Sequence, residues 1–418
     1  MVNADAIVVG GGAAGMMAAG HAARLGAKVL LLEKTDLLGK KLLITGKGRC
    51  NITNSRPVSD LLECYPGGAK FLRGPLHRFS NTDVIHFFED LGVPTKVERG
   101  GRVFPCSDRA DTVVSALRRF VLTSGAQVQL NAKVVEVLTR AAPAEKPRVY
   151  GVKLADGRQL TTNNVVITTG GKSYPGTGSS GDGYELAARL GHCIEELFPA
   201  LVPLRIQEQW ARDLQGLSLR NVTATLLVNG KVVSREFGEM LFTSFGVSGP
   251  IILTLSRAAA IALRQGAEVK LRLNLKPALD EKQLDNRLQR DFQKYSRKQL
   301  HNGLVDLLPK ALIDPVIAEA GIEPNQPVNQ ITKEQRTRLV DTLTGLEMTV
   351  TDTLGLAAAI VTAGGVSLKE VSPQTMESKL VQGLFFAGEV LDIDGVTGGY
   401  NLQAAFSTGR VAAESLRY

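Results

Sequence analysis

Apolar runs of strand length separated by small, glycine-rich turns set the pattern at the start of the chain. Over residues 5–33, DAIVVG is a buried-strand run, AAGMMAAGHAARLG is rich in helix formers and ends in glycine, and KVLLLE is a second apolar run. This alternation predicts a βαβ unit. A lysine-rich, glycine-punctuated segment follows to about residue 56, and then the spacing predicts amphipathic helices over 81–91 and 111–124, the latter opening on Asp111 as a cap. Strands resume in QVQLNAKVVEVLT, VYGVKLADG and NVVITTGG. From about Phe198 the texture changes. NVTATLLVNG, KVVSREF and EVKLRLNL alternate like strands around GVSGPIILTLSRAAAIAL, a turn running into a helix, and 280–344 is charged, helical and proline-punctuated. Glycine-rich character returns after Met348. The pattern predicts an α/β fold with one nucleotide-binding domain built from 1–195 and 349–418. An α+β module is inserted over 196–348, β-rich over 196–277 and helical over 278–348.

Composition narrows the class. With 418 residues, 44% hydrophobic and 22% charged, the chain falls among globular proteins. The uncharged run 353–368 is broken by glycines and is shorter than the ~20 apolar residues of a spanning helix, so no membrane partner is expected. The apolar N-terminus has no basic n-region and carries Asp5, which argues against a secretory signal. The four cysteines, Cys50, Cys64, Cys106 and Cys193, form neither a C-x-x-C pair nor a zinc spacing, and a reducing cytoplasm is the expected location. The net charge of +8 is uneven: residues 1–120 carry +6, and 351–418 carry −3. Residues 40–78 alone reach +6, from Lys40, Lys41, Lys47, Arg49, Arg56, Lys70, Arg73 and Arg78 against Asp60 and Glu63.

Gly10, Gly12 and Gly15 form G-x-G-x-x-G between the first strand and helix. There glycine permits a tight turn, approach of backbone to pyrophosphate and close helix–strand packing. The first N–H groups of the helix, at Ala13 and Ala14, face the phosphates with the positive end of the helix dipole. Glu33 ends the second strand 18 residues beyond Gly15, placed to accept from ribose hydroxyls. A plain βαβ turn is the competing reading. At the far end, GLFFAGEVLDIDG and GGYNLQAAFSTGRVAAESL repeat the strand, glycine turn and helix sequence. A second such turn suits non-covalent FAD, whose ribityl and ring portions need their own anchors.

The blocks GKKLLITGKGRCNITN (39–54), GRVFPCSDRA (101–110), TTGGKSYPGTGSSGDG (168–183), FTSFGVSGP (242–250), VTAGGVSLKEV (361–371) and GEVLDIDGVTGGYNLQAAFSTG (388–409) occur in this order. In these blocks the chain resembles a family of bacterial NAD(P)/FAD-dependent oxidoreductases with an inserted two-part domain. Members of that family are associated with aminoacetone oxidation, reduction of bile-acid intermediates and dihydrouridine synthesis in large-subunit ribosomal RNA. The resemblance implies a Rossmann-type FAD-binding domain in which Gly10–Gly15, Glu33 and Lys34 hold the ADP half. Thr169, Gly170 and Gly171 would form a second strand-end turn, Gly388 and Glu389 the ribityl contact, and Gly399 to Leu402, including Asn401, the helix start under the flavin. Glu389 stands where the wider two-dinucleotide pattern usually has aspartate.

Lys41, Arg49 and Asn51 lie in the basic, glycine-rich segment, where cations could stabilise reduced flavin or bind a phosphate-bearing substrate; a solvated loop is the alternative. Cys50, among cations that lower a thiol pKa, is the candidate proton donor for a uracil 5,6-reduction, with a packed inert cysteine as the other reading. Tyr400 could face the ring or substrate, or serve as a core tyrosine. None of the five histidines has a partner at metal-ligand spacing, so no metal is expected. GVSGP lacks a nucleophile elbow, and Ser248, Gly249 and Pro250 read as an N-cap and first turn. The expected function is an FAD-dependent oxidoreductase passing hydride through flavin N5, with NAD(P)H as donor and ribosomal RNA uridine as favoured substrate. A small-molecule amine or ketone oxidoreductase, and an FAD-containing RNA-binding protein without turnover, are the alternatives.

Overall fold

The computed structural model describes residues 4–141 and 145–417. The chain separates into two compact units, one formed by the residues up to Pro199 together with those from Ala359 onward, the other by Ala200–Ala358.

The first unit is built on a five-stranded parallel sheet. Its strands are β1 (Ala6–Val9), β2 (Val29–Leu32), β3 (Gln127–Gln129), β4 (Val165–Ile167) and β5 (Leu384–Phe386), in the spatial order β5-β4-β1-β2-β3. β1, β2, β4 and β5 are buried along their whole length, as apolar runs covered on both faces must be. Register places Val9 beside Leu32 on one side and Ile167 on the other, with Phe386 beside Ile167. The segments leaving these strands, at Gly10, Glu33, Thr168 and Ala387, therefore emerge at one edge of the sheet. Strand order reverses between β1 and β4, the position where doubly wound sheets bind ligands.

Helix α1 (Ala13–Arg24) is buried on nearly every side because its small residues admit close neighbours. A Cβ on Gly20 would lie 2.2 Å from the Phe120 ring, and one on Gly409 of the Tyr400–Ser415 helix would lie 2.5 Å from the Ala14 carbonyl oxygen. His21 on α1 packs among Phe79, Phe87 and Phe120, its Nδ1 2.6 Å from Arg410 Nη1. Burial, then the charges of Arg410 and Arg24, push its imidazole down to about 3. Between pH 6.5 and about 3 the unfolded chain thus binds a proton that the folded chain refuses, so stability is lost as pH falls through that window. In His21→Phe, the loss of unfolding free energy between pH 7.5 and 4.5 should shrink by about 2–3 kcal/mol in urea titrations. An unchanged loss would show that His21 does not titrate there.

The predicted helices over 81–91 and 111–124 are present as Asn81–Asp90 and Ala110–Thr123. Their caps differ from expectation. The first is closed by a capping box between Ser80 and Asp83, whereas Asp111 lies inside the first turn of the second, after Arg109. The stretch QVQLNAKVVEVLT divides into β3 and Val134–Arg140, which pairs antiparallel with Arg148–Leu154 in a separate sheet.

In the second unit six strands close a barrel, in the order Leu204–Ile206, Gly246–Ser248, Lys231–Thr243, Ser218–Val228, Val269–Asn274 and Leu346–Thr353. Leu226, Phe242, Leu271 and Met348 belong to its fully buried core. The last strand follows the helices Glu281–Lys294, Lys310–Glu319 and Lys333–Gly345 in the chain yet completes the barrel. A division into a β-rich half and a helical half is therefore replaced by a barrel whose closing strand comes last. The unit ends at Ala358 rather than at residue 348. Gly249, not Ser248, occupies the N-cap of the Pro250–Arg264 helix, because Ser248 is still paired as a strand.

Candidate functional site

The glycines of the first turn serve three different purposes. Gly10 has φ +105°, and a Cβ there would lie 2.7 Å from the Thr168 carbonyl oxygen. A Cβ on Gly15 would lie 1.9 Å from the Gly10 oxygen, which fixes how closely α1 approaches β1. Gly12 has φ −81°, and a Cβ would meet nothing within 4 Å. The space above Gly12 is thus open, and α1 begins there with no side-chain cap. Ala13 and Ala14 follow, presenting the first-turn N–H groups toward that space. Gly11, which the sequence reading passed over, is as constrained as its neighbours: a Cβ would lie 2.2 Å from Leu38.

Glu33 stands at the end of β2 with Oε2 accepting from Gly11 N at 2.7 Å and Oε1 from Thr35 N at 2.8 Å. These bonds hold the carboxylate at the turn and leave further lone pairs on each oxygen for ribose hydroxyls. Lys34 points instead to Asp182, at 2.5 Å, and Ser180.

The segment after β4 closes on the same turn, since Gly10 approaches both Thr168 and Thr169. Gly170 has φ +74°. A Cβ on Gly171 would lie 2.5 Å from Thr362 Oγ1 and 2.8 Å from Glu389 Oε1. Gly388, at φ +78°, faces Ala14 across a gap that leaves 2.9 Å between the Ala14 Cβ and any added Cβ. Glu389 receives Lys41 Nζ at 2.8 Å, Thr362 N at 2.9 Å and Ser173 Oγ at 3.2 Å. Ser173 and Thr362 were invisible as site residues because their only link to Glu389 is spatial, although both lie in recognisable blocks.

Gly399, at φ +96°, caps the Tyr400–Ser415 helix, and a Cβ there would strike the Thr53 oxygen at 2.4 Å. Leu402 is half-buried in the first turn. Asn401 turns its side chain back on the preceding loop, accepting from Gly395 N and donating to Gly395 O, both at 2.8 Å. Tyr400 is buried, with Tyr65 Oη donating to its carbonyl at 2.7 Å. Burial and a hydrogen bond with Cys64 hold its phenol above the ordinary tyrosine value, while Arg56 acts in the opposite direction.

The basic segment corrects two expectations. The Arg49 guanidinium is held by Glu98 and Asp108 and lies 4.2 Å over the Phe104 ring, so its charge is already compensated within the protein. Cys50 is 0% exposed, and burial pushes its thiol up to about 12, the reverse of the lowering its cationic neighbours in sequence suggested. Iodoacetamide should modify exposed Cys106 and Cys193 in the native protein and reach Cys50 only after unfolding; mass-spectrometric mapping that finds native Cys50 alkylated would contradict its burial. His192 is a buried brace: its ring contacts Glu370 at 3.1 Å and Ser378 Oγ at 2.9 Å, and that oxygen also accepts from Leu380 N and Val381 N. Ser378 therefore has no lone pair left for nucleophilic attack. Among the described residues, no three His, Cys, Asp or Glu side chains form a group able to hold a metal ion, and no helix is long and apolar enough to cross a membrane.

Among the described residues, five buried side-chain polar atoms have no hydrogen-bond partner: Asn51 Oδ1 and Thr169 Oγ1 in the first unit, and Trp210 Nε1, Arg212 Nε and Thr243 Oγ1 in the second. Such atoms are costly unless something satisfies them. The open space at Gly12, the uncapped start of α1 and the carboxylate of Glu33 fit a dinucleotide cofactor. The fold and this turn define a Rossmann-type dinucleotide-binding protein.

A family of HI0933-like protein Rossmann domains matches residues 4–415, and the chain belongs to this FAD-binding family. It is 34% identical over 98% of both chains to a 3-dehydro-bile acid delta(4,6)-reductase of Clostridium scindens. It is 33% identical over 98% of both chains to a ribosomal RNA dihydrouridine synthase of Haemophilus influenzae. For the enzyme of that name from Escherichia coli, the identity is 32% over 100% of this chain and 98% of the other. Among solved structures, a 3-ketosteroid delta1-dehydrogenase from Sterolibacterium denitrificans shares the fold, with TM-score 0.55 and 15% identity over 100% of this chain and 99% of that one.

Proposed function

We propose that the protein is an FAD-dependent reductase of carbon–carbon double bonds conjugated to a carbonyl, with NAD(P)H as electron donor and uridine in large-subunit ribosomal RNA as substrate. The observation that carries the cofactor assignment is the open space at Gly12, at the uncapped start of α1, with the Glu33 carboxylate held on the neighbouring Gly11 N. Gly12, the first-turn N–H groups of α1 and Glu33 would hold the ADP half. The loop 169–171, Gly388 and the start of the Tyr400–Ser415 helix would hold the remainder, with Lys41 and Ser173 fixing Glu389 beside it.

Bound FAD supplies two-electron hydride chemistry. In uracil the hydride adds at C6, the position conjugated through C5 to the C4 carbonyl, and a proton is delivered to C5, as NAD(P)H becomes NAD(P)+. The names of the bile-acid and RNA relatives describe the same class of change, saturation of an alkene activated by a carbonyl. Tyr400 is the residue we assign to hold the proton, on its place in the first turn of the helix whose start would lie against the cofactor.

The test is the dihydrouridine content of large-subunit ribosomal RNA, measured by mass spectrometry in strains with and without the gene. Loss on deletion, restored by the wild-type gene but not by Tyr400→Phe, is the expected result. Dihydrouridine that is present and unchanged after deletion overturns the RNA assignment and leaves small conjugated ketones as the substrates to assay.

A further inference from the structure

The basic segment 40–78 does not act as one patch, because folding divides its eight cations. Lys40 pairs with Asp36, Lys41 with Glu389, Arg49 with Glu98 and Asp108, and Arg78 with Glu414. Among the described residues, no carboxylate lies within 4.0 Å of Lys47, Arg56, Lys70 or Arg73, and all four are exposed. Two of these four fall on one helix, Ala69–Arg78, whose Phe71, Leu72, Pro75 and Leu76 are buried. Lys70, Arg73 and His77 recur at i, i+3 and i+7 and so share the opposite face, spread over about 10 Å. His77 Nδ1 lies 2.7 Å from the Arg73 carbonyl oxygen, which ties the ring to the helix backbone one turn earlier.

This face borders a cavity of about 550 Å³ lined by Ser59, Leu62, Glu63, Ala69, Arg73 and His77. Glu63 on the facing wall repels phosphate, which confines a polyanion to the Arg73 side. Arg56, just before the Val58–Glu63 helix of that wall, reaches Tyr400 with its charge.

We propose that the exposed face of the Ala69–Arg78 helix, together with Arg56, is the surface that holds the RNA phosphate backbone while the target base is at the flavin. This inference rests on the ribosomal RNA reading above. Three exposed cations without a carboxylate partner, Arg56, Lys70 and Arg73, match a strand of regularly spaced negative charges, and a small neutral substrate has no use for them.

The experiment compares the FAD-loaded wild type with Lys70→Ala/Arg73→Ala and with Lys40→Ala, which removes a cation already paired with Asp36. Binding to a large-subunit ribosomal RNA transcript is measured from 50 to 300 mM salt. The double variant should flatten the slope of log affinity against log salt by about 1.5–2, with flavin content and flavin reduction by NAD(P)H unchanged; Lys40→Ala should leave the slope within about 0.5 of wild type. An unaltered slope in the double variant, with wild type binding normally, overturns this surface while the RNA reading stands. Wild type that shows no salt-dependent binding, in a strain whose dihydrouridine survives deletion of the gene, overturns both.

Discussion

Gly12→Val is expected to give a folded protein that has lost its FAD. The backbone at Gly12, with φ −81° and ψ −165°, is open to any residue, and a Cβ there touches nothing within 4 Å. The only cost to the protein itself is a poorer N-cap, about 1 kcal/mol. The two valine methyl groups extend into the space where a pyrophosphate must approach the backbone, and they also shield the first-turn N–H groups. We expect FAD affinity to fall on the order of a hundredfold, about 2.7 kcal/mol, read as loss of the flavin absorbance after gel filtration. Melting temperatures must be compared between apoproteins, since bound cofactor itself stabilises. Purified Gly12→Val carrying one FAD per chain would sink the cofactor site.

Gly15→Ala, three residues away, should do the opposite to the protein. Its Cβ would lie 1.9 Å from the Gly10 carbonyl oxygen and 2.7 Å from Thr168 Oγ1, and a backbone oxygen cannot swing aside as the tip of a long side chain does. α1 must then move off β1, which costs about 3 kcal/mol. In a unit of this size that corresponds to a fall of about 6–12 °C in the apoprotein Tm. FAD is lost as well, because the displaced helix carries its N-terminus with it. An apoprotein Tm equal to wild type would show that this turn relaxes at no cost. Measured together, the two variants separate a glycine kept for the ligand from one kept for the fold.

Features carried by neighbours in sequence were legible, and features made by distant encounters were not. The βαβ unit, the glycine turn and Glu33 lie within 33 residues, where period and composition speak for themselves. Lys41 could be recognised as a cation near the site, but its bond to Glu389, 348 positions away, sets what that charge does. For Arg49 and Cys50 the local sequence misled in the same way. The charges around Cys50 in the chain point away from it in space, and desolvation, which leaves no mark in a sequence, decides its thiol. Asn401 looked free for the cofactor because the loop on which it folds back, at Gly395, has no signature of its own. The barrel was read as separate strands, since nothing in Leu346–Thr353 announces that it pairs with Val269–Asn274 across the helical stretch between them.

The position of β1 in the middle of its sheet bears on how the protein is made. Its right-hand neighbour, β2, leaves the ribosome almost with it, but on the other side β4 waits for its own partner, β5, which begins at Leu384. At about 5–20 residues per second, some 20–75 s separate synthesis of β1 from that of β5. From its own synthesis until that of β5, β4 has an unpaired edge, α1 lacks the helix that covers it, and the turns at Gly388 and Gly399 do not exist. Cofactor capture therefore follows synthesis of residues 384–415, which pair with β4 and cover α1.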